Sequence, residues 1–209
     1  NIAKVANKKG IKTIAEFFSY SFARKLVSTD NVHADLVYGA NVLAHVSKIV
    51  DFLKGVRIIL KIDGTAVFEF PYVKGLFENK FDTIYHEHVF YYSLIALQNL
   101  VKKANLEIYD VELINMQGGS LRIFVSHQGV YRVSNRVKNL VTNELHNGFN
   151  KLKSYQTMNN QIIKLKSTLL TLLKKIKFEQ KSIVAYGAPA KGLILLNYFG
   201  IGNNYLDFI

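Results

Sequence analysis

No cysteine occurs among the 209 residues. A disulfide framework and a Cys-based zinc site are therefore excluded within the chain. The cellular compartment is left open by this and is compatible with a reducing one. Apolar runs are short as well. No stretch approaches the roughly 18 residues needed to cross a bilayer, and Asn1-Ile2-Ala3-Lys4 lacks the apolar centre of a signal peptide. The expectation is a cytoplasmic protein without a membrane partner. An initiator methionine is absent too, and the sequence opens inside a helical pattern and stops on the apolar Leu206-Asp207-Phe208-Ile209. It reads as a piece cut at both ends.

Acidic residues are scarce. Against 27 Lys and Arg there are 15 Asp and Glu, for a formal charge of +12. Between Tyr131 and Lys181 eleven cations face only Glu144 and Glu179, so +9 of the excess sits in one helical region. A solvated lysine face carrying Lys164, Lys166, Lys174, Lys175 and Lys177 accounts for it without a nucleic-acid partner. A phosphate-bearing small molecule remains compatible with that charge.

What is present is 49% hydrophobic and sufficient for a sizeable core. The first half alternates helical and extended signals, the rhythm of a parallel sheet with crossover helices. A helix end from Ile2 to Lys9 is stopped by Gly10. Ile11 to Ile14 reads as a short strand, Phe17 to Leu26 as a helix and Ala34 to Ala40 as a buried strand. A helix from about Ser47, its N-cap, runs through Leu60. Asp63-Gly64 then turns the chain into a strand from Thr65 to Phe70, ended by Pro71.

Further on, Ser93 caps a helix to about Ala104. Leu106 to Ile114 and Ser120 to His127 form two strands, expected to close the sheet as an antiparallel pair. Ser134 to Lys181 is helical, with Ile162, Leu165, Leu169, Leu172, Leu173 and Ile176 on one apolar stripe. From Ser182 a strand, a glycine loop at Gly187-Ala188-Pro189-Ala190-Lys191-Gly192 and a helix begin a second α/β unit, a setting in which helix amides can hold an anion.

The densest chemistry lies at Tyr85-His86-Glu87-His88, followed by Phe90, Tyr91 and Tyr92. Such a cluster supplies a general base, a carboxylate and a phenol to hydrogen-bond an oxyanion. On a plain strand Tyr85 and Glu87 would share one face and the histidines the other, so convergence requires a turn. A His-x-His metal site and an ordinary surface histidine are the competing readings. Asn41 to His45 follows a strand at its carboxyl end, where ligands sit in open α/β sheets. His45 is thus an active-site candidate or simply a residue on a helix flank. Phe17-Phe18 is placed either to wall a cofactor or to pack in the core.

Taken in order, Asn1-Ile2-Ala3 with Gly10 to Ile14 and Phe17-Phe18, Asn41 to Val46, Glu69-Phe70-Pro71-Tyr72, Tyr85 to His88, Gly118 to Arg122 and Ala185 to Gly192 resemble the deoxysugar C-methyltransferase family. The likeness is nearly collinear over the whole chain. It implies a partial Rossmann-like methyltransferase sheet over 1–130, a helical connector over 131–181 and the start of a second Rossmann-like, substrate-binding α/β domain over 182–209. It also implies S-adenosylmethionine as methyl donor, with Asn41, Ala40, Phe17 and Phe18 on its side, and zinc only in an amino-terminal domain that this chain lacks. The family tends to carry a second asparagine where this sequence has Ala40.

By the same resemblance His88 is the base that removes a proton beside the ketone of a nucleotide-linked sugar. Tyr85 steadies the enolate oxygen, and Glu87 and His45 orient base and substrate. Ser120, Arg122, Gly187, Ala188 and Lys191 are candidates for the nucleotide sugar, with a structural ion pair an equal reading of Arg122. A non-catalytic sugar-nucleotide or phosphate-binding module is the alternative function.

Overall fold

The structure, a computed structural model, describes residues 2–115, 119–187 and 189–209. Asn1, Gly118 and Ala188 lie outside the described residues. Helix α1 (Ile2–Lys8) ends before Gly10, whose φ of 79° lets the chain leave the helix. Ile11 to Ile14, expected as a strand, joins no ladder. Its isoleucines are exposed, and its amides turn back to α1: Ile11 donates to the Ala6 carbonyl at 3.0 Å and Thr13 to the Asn7 side-chain oxygen at 2.8 Å.

Helix α2 (Tyr20–Asp30) is capped by Ser19, whose hydroxyl accepts from the Phe22 amide. Strand β1 (Ala34–Ala40) leads through a 3-10 turn at Leu43–His45 to helix α3 (Ile49–Ile59) and strand β2 (Leu60–Pro71). Lys48, rather than the expected Ser47, precedes α3. Asp63-Gly64 does not turn the chain. The strand is continuous from Leu60, with an irregularity in its register against β1 at this level. Gly64 is required there, because a Cβ would meet the Ala34 carbonyl oxygen at 2.9 Å.

After helix α4 (Lys74–Phe77) and a 3-10 turn at Phe81–Thr83 come helix α5 (Leu94–Lys102) and strands β3 (Leu106–Ile114) and β4 (Ser120–His127). The sheet order is β1-β2-β4-β3. Strands β1 and β2 are parallel and joined by α3, while β4 runs antiparallel to both β2 and β3. This is the partial Rossmann-like α/β sheet expected. Its core, including Leu53, Val56, Phe68, Phe70, Leu94, Leu97, Leu121 and Ile123, is nearly sealed from solvent.

Helices α6 (Asn135–His146) and α7 (Leu152–Phe178) replace the long helical run, divided near Gly148, where φ is 69°. On the expected stripe Ile162 and Leu173 are buried, but Leu172 is exposed. Ile162 and Leu173 join Phe81, Phe199 and Ile201 in a second, smaller core. The final unit has helix α8 (Ala190–Phe199) and a single parallel bridge between Val184 and Phe208 in place of a full ladder.

One buried polar node ties these layers together. The Glu144 carboxylate on α6 accepts from the Tyr72 hydroxyl at 2.8 Å and from the Leu94 and Ile95 amides at 2.6 and 2.9 Å. It is only 1% exposed. A carboxylate thereby satisfies the first amides of α5, where the helix dipole favours negative charge. Burial, reinforced by the Glu144 charge, pushes the Tyr72 phenol well above its ordinary value and keeps it a proton donor.

Candidate active site

The chain does turn at the four-residue cluster. The His88 amide donates to the Tyr85 carbonyl at 2.9 Å, which folds Tyr85 to His88 into a tight turn with His86 and Glu87 exposed at its tip. Tyr85 and His88 consequently meet, although a straight strand would separate them. Their rings lie 4.2 Å apart between centroids, and the Tyr85 hydroxyl is 3.0 Å from His88 Nε2.

The other ring nitrogen fixes the tautomer. His88 Nδ1 lies 3.1 Å from the Thr83 carbonyl oxygen, which can only accept, so Nδ1 carries the proton. In the neutral ring Nε2 then holds a lone pair, and the Tyr85 O–H donates to it. Burial lowers the His88 pKa from its ordinary value. The neighbouring His45 and Lys191 act in the same direction, whereas the Thr83 carbonyl and the Glu87 carboxylate oppose them. The result is a half-buried imidazole held neutral, with its basic nitrogen aimed at a phenol.

His45 reaches this site from β1. Asn41, with φ of 53°, bends the chain at the carboxyl end of the strand and donates its amide to the Glu69 carbonyl at 2.7 Å. The 3-10 turn that follows carries His45, while the Ala44 carbonyl accepts from the Val89 and Phe90 amides at 2.8 and 3.3 Å. These bonds pin the two loops together. The His45 and His88 rings sit 5.1 Å apart, edge to face.

Other sequence candidates are distributed differently. Ala40 and Asn41 are exposed at the end of β1. Phe17 is 96% exposed, while Phe18 turns inward against Phe22 and Phe52. Ser120 is buried at the start of β4 and lines a cavity of about 340 Å³ with Tyr72, Lys74, Glu78 and Lys80. Arg122 is bound between two carboxylates, Glu69 at 2.9 Å and Glu112 at 3.1 Å, across three neighbouring strands. The Arg122 guanidinium is thus ion-paired on both sides within the sheet.

Gly187, with φ of 79°, precedes α8, and Lys191 in the first turn of α8 lies within electrostatic reach of His88. Among the described residues no group of three or more histidines and acids is placed to hold a metal ion. No helix there is long and apolar enough to cross a membrane.

Two participants escaped the sequence reading. The Thr83 carbonyl is a backbone atom and leaves no trace in residue type. Tyr91 was visible only as one aromatic in a row of three, yet its hydroxyl donates to the same Thr83 oxygen at 2.7 Å. The turn carrying Thr83 is itself anchored by Phe81, which stacks on Phe199 with centroids 5.3 Å apart. The imidazole's orientation thus depends on packing against α8.

Residues 115–209 match the family model for the C-methyltransferase C-terminal domain. The chain is also 31% identical, over all of its length, to C-methyltransferase NovU of Streptomyces niveus. The chain is thus similar to C-methyltransferases over its whole length and matches their C-terminal domain over residues 115–209. It spans about half the length of that curated relative, 50%. Among solved structures it resembles the mitomycin 7-O-methyltransferase MmcR at 13% identity and a TM-score of 0.43. That likeness covers 59% of this chain and 37% of the other, and it carries no functional weight.

Proposed function

We propose that this chain carries the proton-abstraction centre of an enzyme that methylates the carbon next to the ketone of a nucleotide-linked keto-deoxysugar, in the cytoplasm. The single observation that carries this reading is the Thr83-His88-Tyr85 chain of hydrogen bonds. It fixes the Nδ1–H tautomer of a ring whose pKa burial lowers, and leaves Nε2 basic and next to a phenol that can donate to oxygen.

Removing a proton beside a ketone requires a base at the carbon and a donor at the oxygen. His88 Nε2 takes the proton as the C–H bond breaks. The electron pair moves to the ketone oxygen, and the Tyr85 O–H, transferred from Nε2 to that oxygen on substrate binding, stabilises the enolate. His45 and Glu87 flank the imidazole and set its basicity in opposite directions. Ser120, Gly187, Ala188 and Lys191 are assigned to the nucleotide sugar, Lys191 as a cation suited to a diphosphate.

S-adenosylmethionine, when bound, supplies an electrophilic methyl group. The exposed Ala40-Asn41 bend and the exposed Phe17 ring fit one side of such a donor, whereas the Phe18 ring is occupied in the core. We retain the division into a partial methyltransferase sheet over 1–130, a connector over 131–181 and a substrate-binding unit from 182.

The test is exchange of the sugar's α-proton in deuterated water, with a thymidine-diphosphate-linked keto-deoxysugar and no methyl donor. We expect exchange with the wild-type protein and its loss in His88→Asn. Equal exchange in both would remove His88 from the role of base.

A further inference from the structure

The Thr83 carbonyl oxygen is a crossing point. It accepts one hydrogen bond from His88 Nδ1 at 3.1 Å and one from the Tyr91 hydroxyl at 2.7 Å, which together use both of its lone pairs. The Tyr91 ring also stands edge-on to the His88 imidazole, with centroids 5.7 Å apart. Burial pushes the Tyr91 phenol up to about 12, so it stays protonated and keeps donating wherever the imidazole titrates.

A carbonyl accepts but never donates. Its position therefore decides which nitrogen of His88 carries the proton and which holds the lone pair. The 3-10 turn ending at Thr83 is three residues long and is closed by the Ile84 amide, which donates to the Phe81 carbonyl at 2.9 Å and so sets the plane of the peptide that carries the Thr83 carbonyl. Tyr91 adds the tether on the carbonyl oxygen itself, through the shorter of that oxygen's two bonds.

We propose that Tyr91 is a positioning residue: by holding the Thr83 carbonyl it locks His88 in the Nδ1–H tautomer and keeps Nε2 as the basic nitrogen facing Tyr85. The kinetic consequence rests on the reading of His88 as the base. The tautomeric consequence does not. A hydroxyl present only for packing would leave the tautomer unchanged when removed.

Tyr91→Phe keeps the ring and deletes the donor. In protein labelled with 15N-histidine, the ring-nitrogen shifts of His88 should report the Nδ1–H form in the wild type and a mixture of both tautomers in Tyr91→Phe. Tyr85→Phe should retain the Nδ1–H form, because the Thr83 bond survives. The shifts of His127, whose Nε2 lies 3.1 Å from the Leu60 carbonyl on another part of the sheet, should be unchanged and report an intact fold.

In parallel, kcat for methyl transfer should fall about tenfold in Tyr91→Phe with KM altered by less than about twofold, since the loss is one of base orientation. An unchanged His88 tautomer in Tyr91→Phe overturns the proposal whatever the rate. A shifted tautomer with wild-type kcat leaves the positioning role standing and counts against His88 as the base.

Discussion

The Glu144 node and the Tyr85-His88 turn are both networks of a titratable side chain, a tyrosine and backbone groups, yet they are built to opposite ends. Glu144 is sealed in the core and receives three donors, two of them amides fixed by a helix. Nothing in that node can move without leaving a buried charge or amide unpaired. His88 is half exposed and tied to the backbone through one nitrogen, while its other nitrogen holds only a phenol at the edge of the protein. That bond can be exchanged for one to a substrate. A fully satisfied network is structural; a network with one exchangeable bond is available for chemistry.

Three outcomes would break or sharpen this contrast. The largest effect is expected for His88→Asn, which should lower kcat by about 100-fold or more, the range for loss of a general base. Its unfolding free energy should change by less than about 1 kcal/mol, as for a substitution outside the core. A large loss of stability in urea titrations would mean that His88 is as structural as Glu144. The converse is expected for Glu144→Ala: roughly 3 kcal/mol of stability lost as the α5 amides and the Tyr72 hydroxyl lose their acceptor. Turnover per folded molecule should be preserved. If activity fell with stability intact, the node would belong to the site.

The smallest effect concerns pH. Because burial, His45 and Lys191 lower the His88 pKa, the neutral base persists below the ordinary histidine range, near 6.5. The acid limb of kcat/KM should lie below that value. The sign for stability is the same: the unfolded chain binds a proton that the folded His88 resists, so folding is disfavoured as pH falls through the unfolded pKa. Lys191→Ala removes an influence that lowers the pKa and should move the acid limb to higher pH. Glu87→Gln removes one that raises it and should move the limb to lower pH. Limbs that shift together, or not at all, would show that these charges do not govern the imidazole.

Much of the fold was legible where a local rule decides. Ser93 caps α5 as expected, Pro71 closes β2, and β1, β3 and β4 have the bounds that the alternation and turn residues implied. Where a rule needs a partner, local signals failed. Ile11 to Ile14 has a strand's composition but no neighbouring strand. Asp63-Gly64 has the spelling of a turn, yet it lies within the continuous strand β2, at an irregularity in the pairing with β1. Gly148 divides a run that periodicity alone had left whole.

By itself the sequence determined the ingredients: an α/β rhythm, a basic helical region and one concentration of base, phenol and carboxylate at Tyr85 to His88. Only the tertiary structure decided their use. The turn joins Tyr85 to His88 and turns Glu87 outward, the Ala44 carbonyl draws His45 alongside, and Glu69 and Glu112 occupy Arg122. The physical reason is that side-chain identity fixes what a group can donate or accept, whereas a histidine's tautomer and basicity depend on atoms brought near it by the rest of the chain. Here those atoms are the carbonyl of Thr83, the hydroxyl of Tyr85 and the charge of Lys191, more than a hundred residues away in sequence.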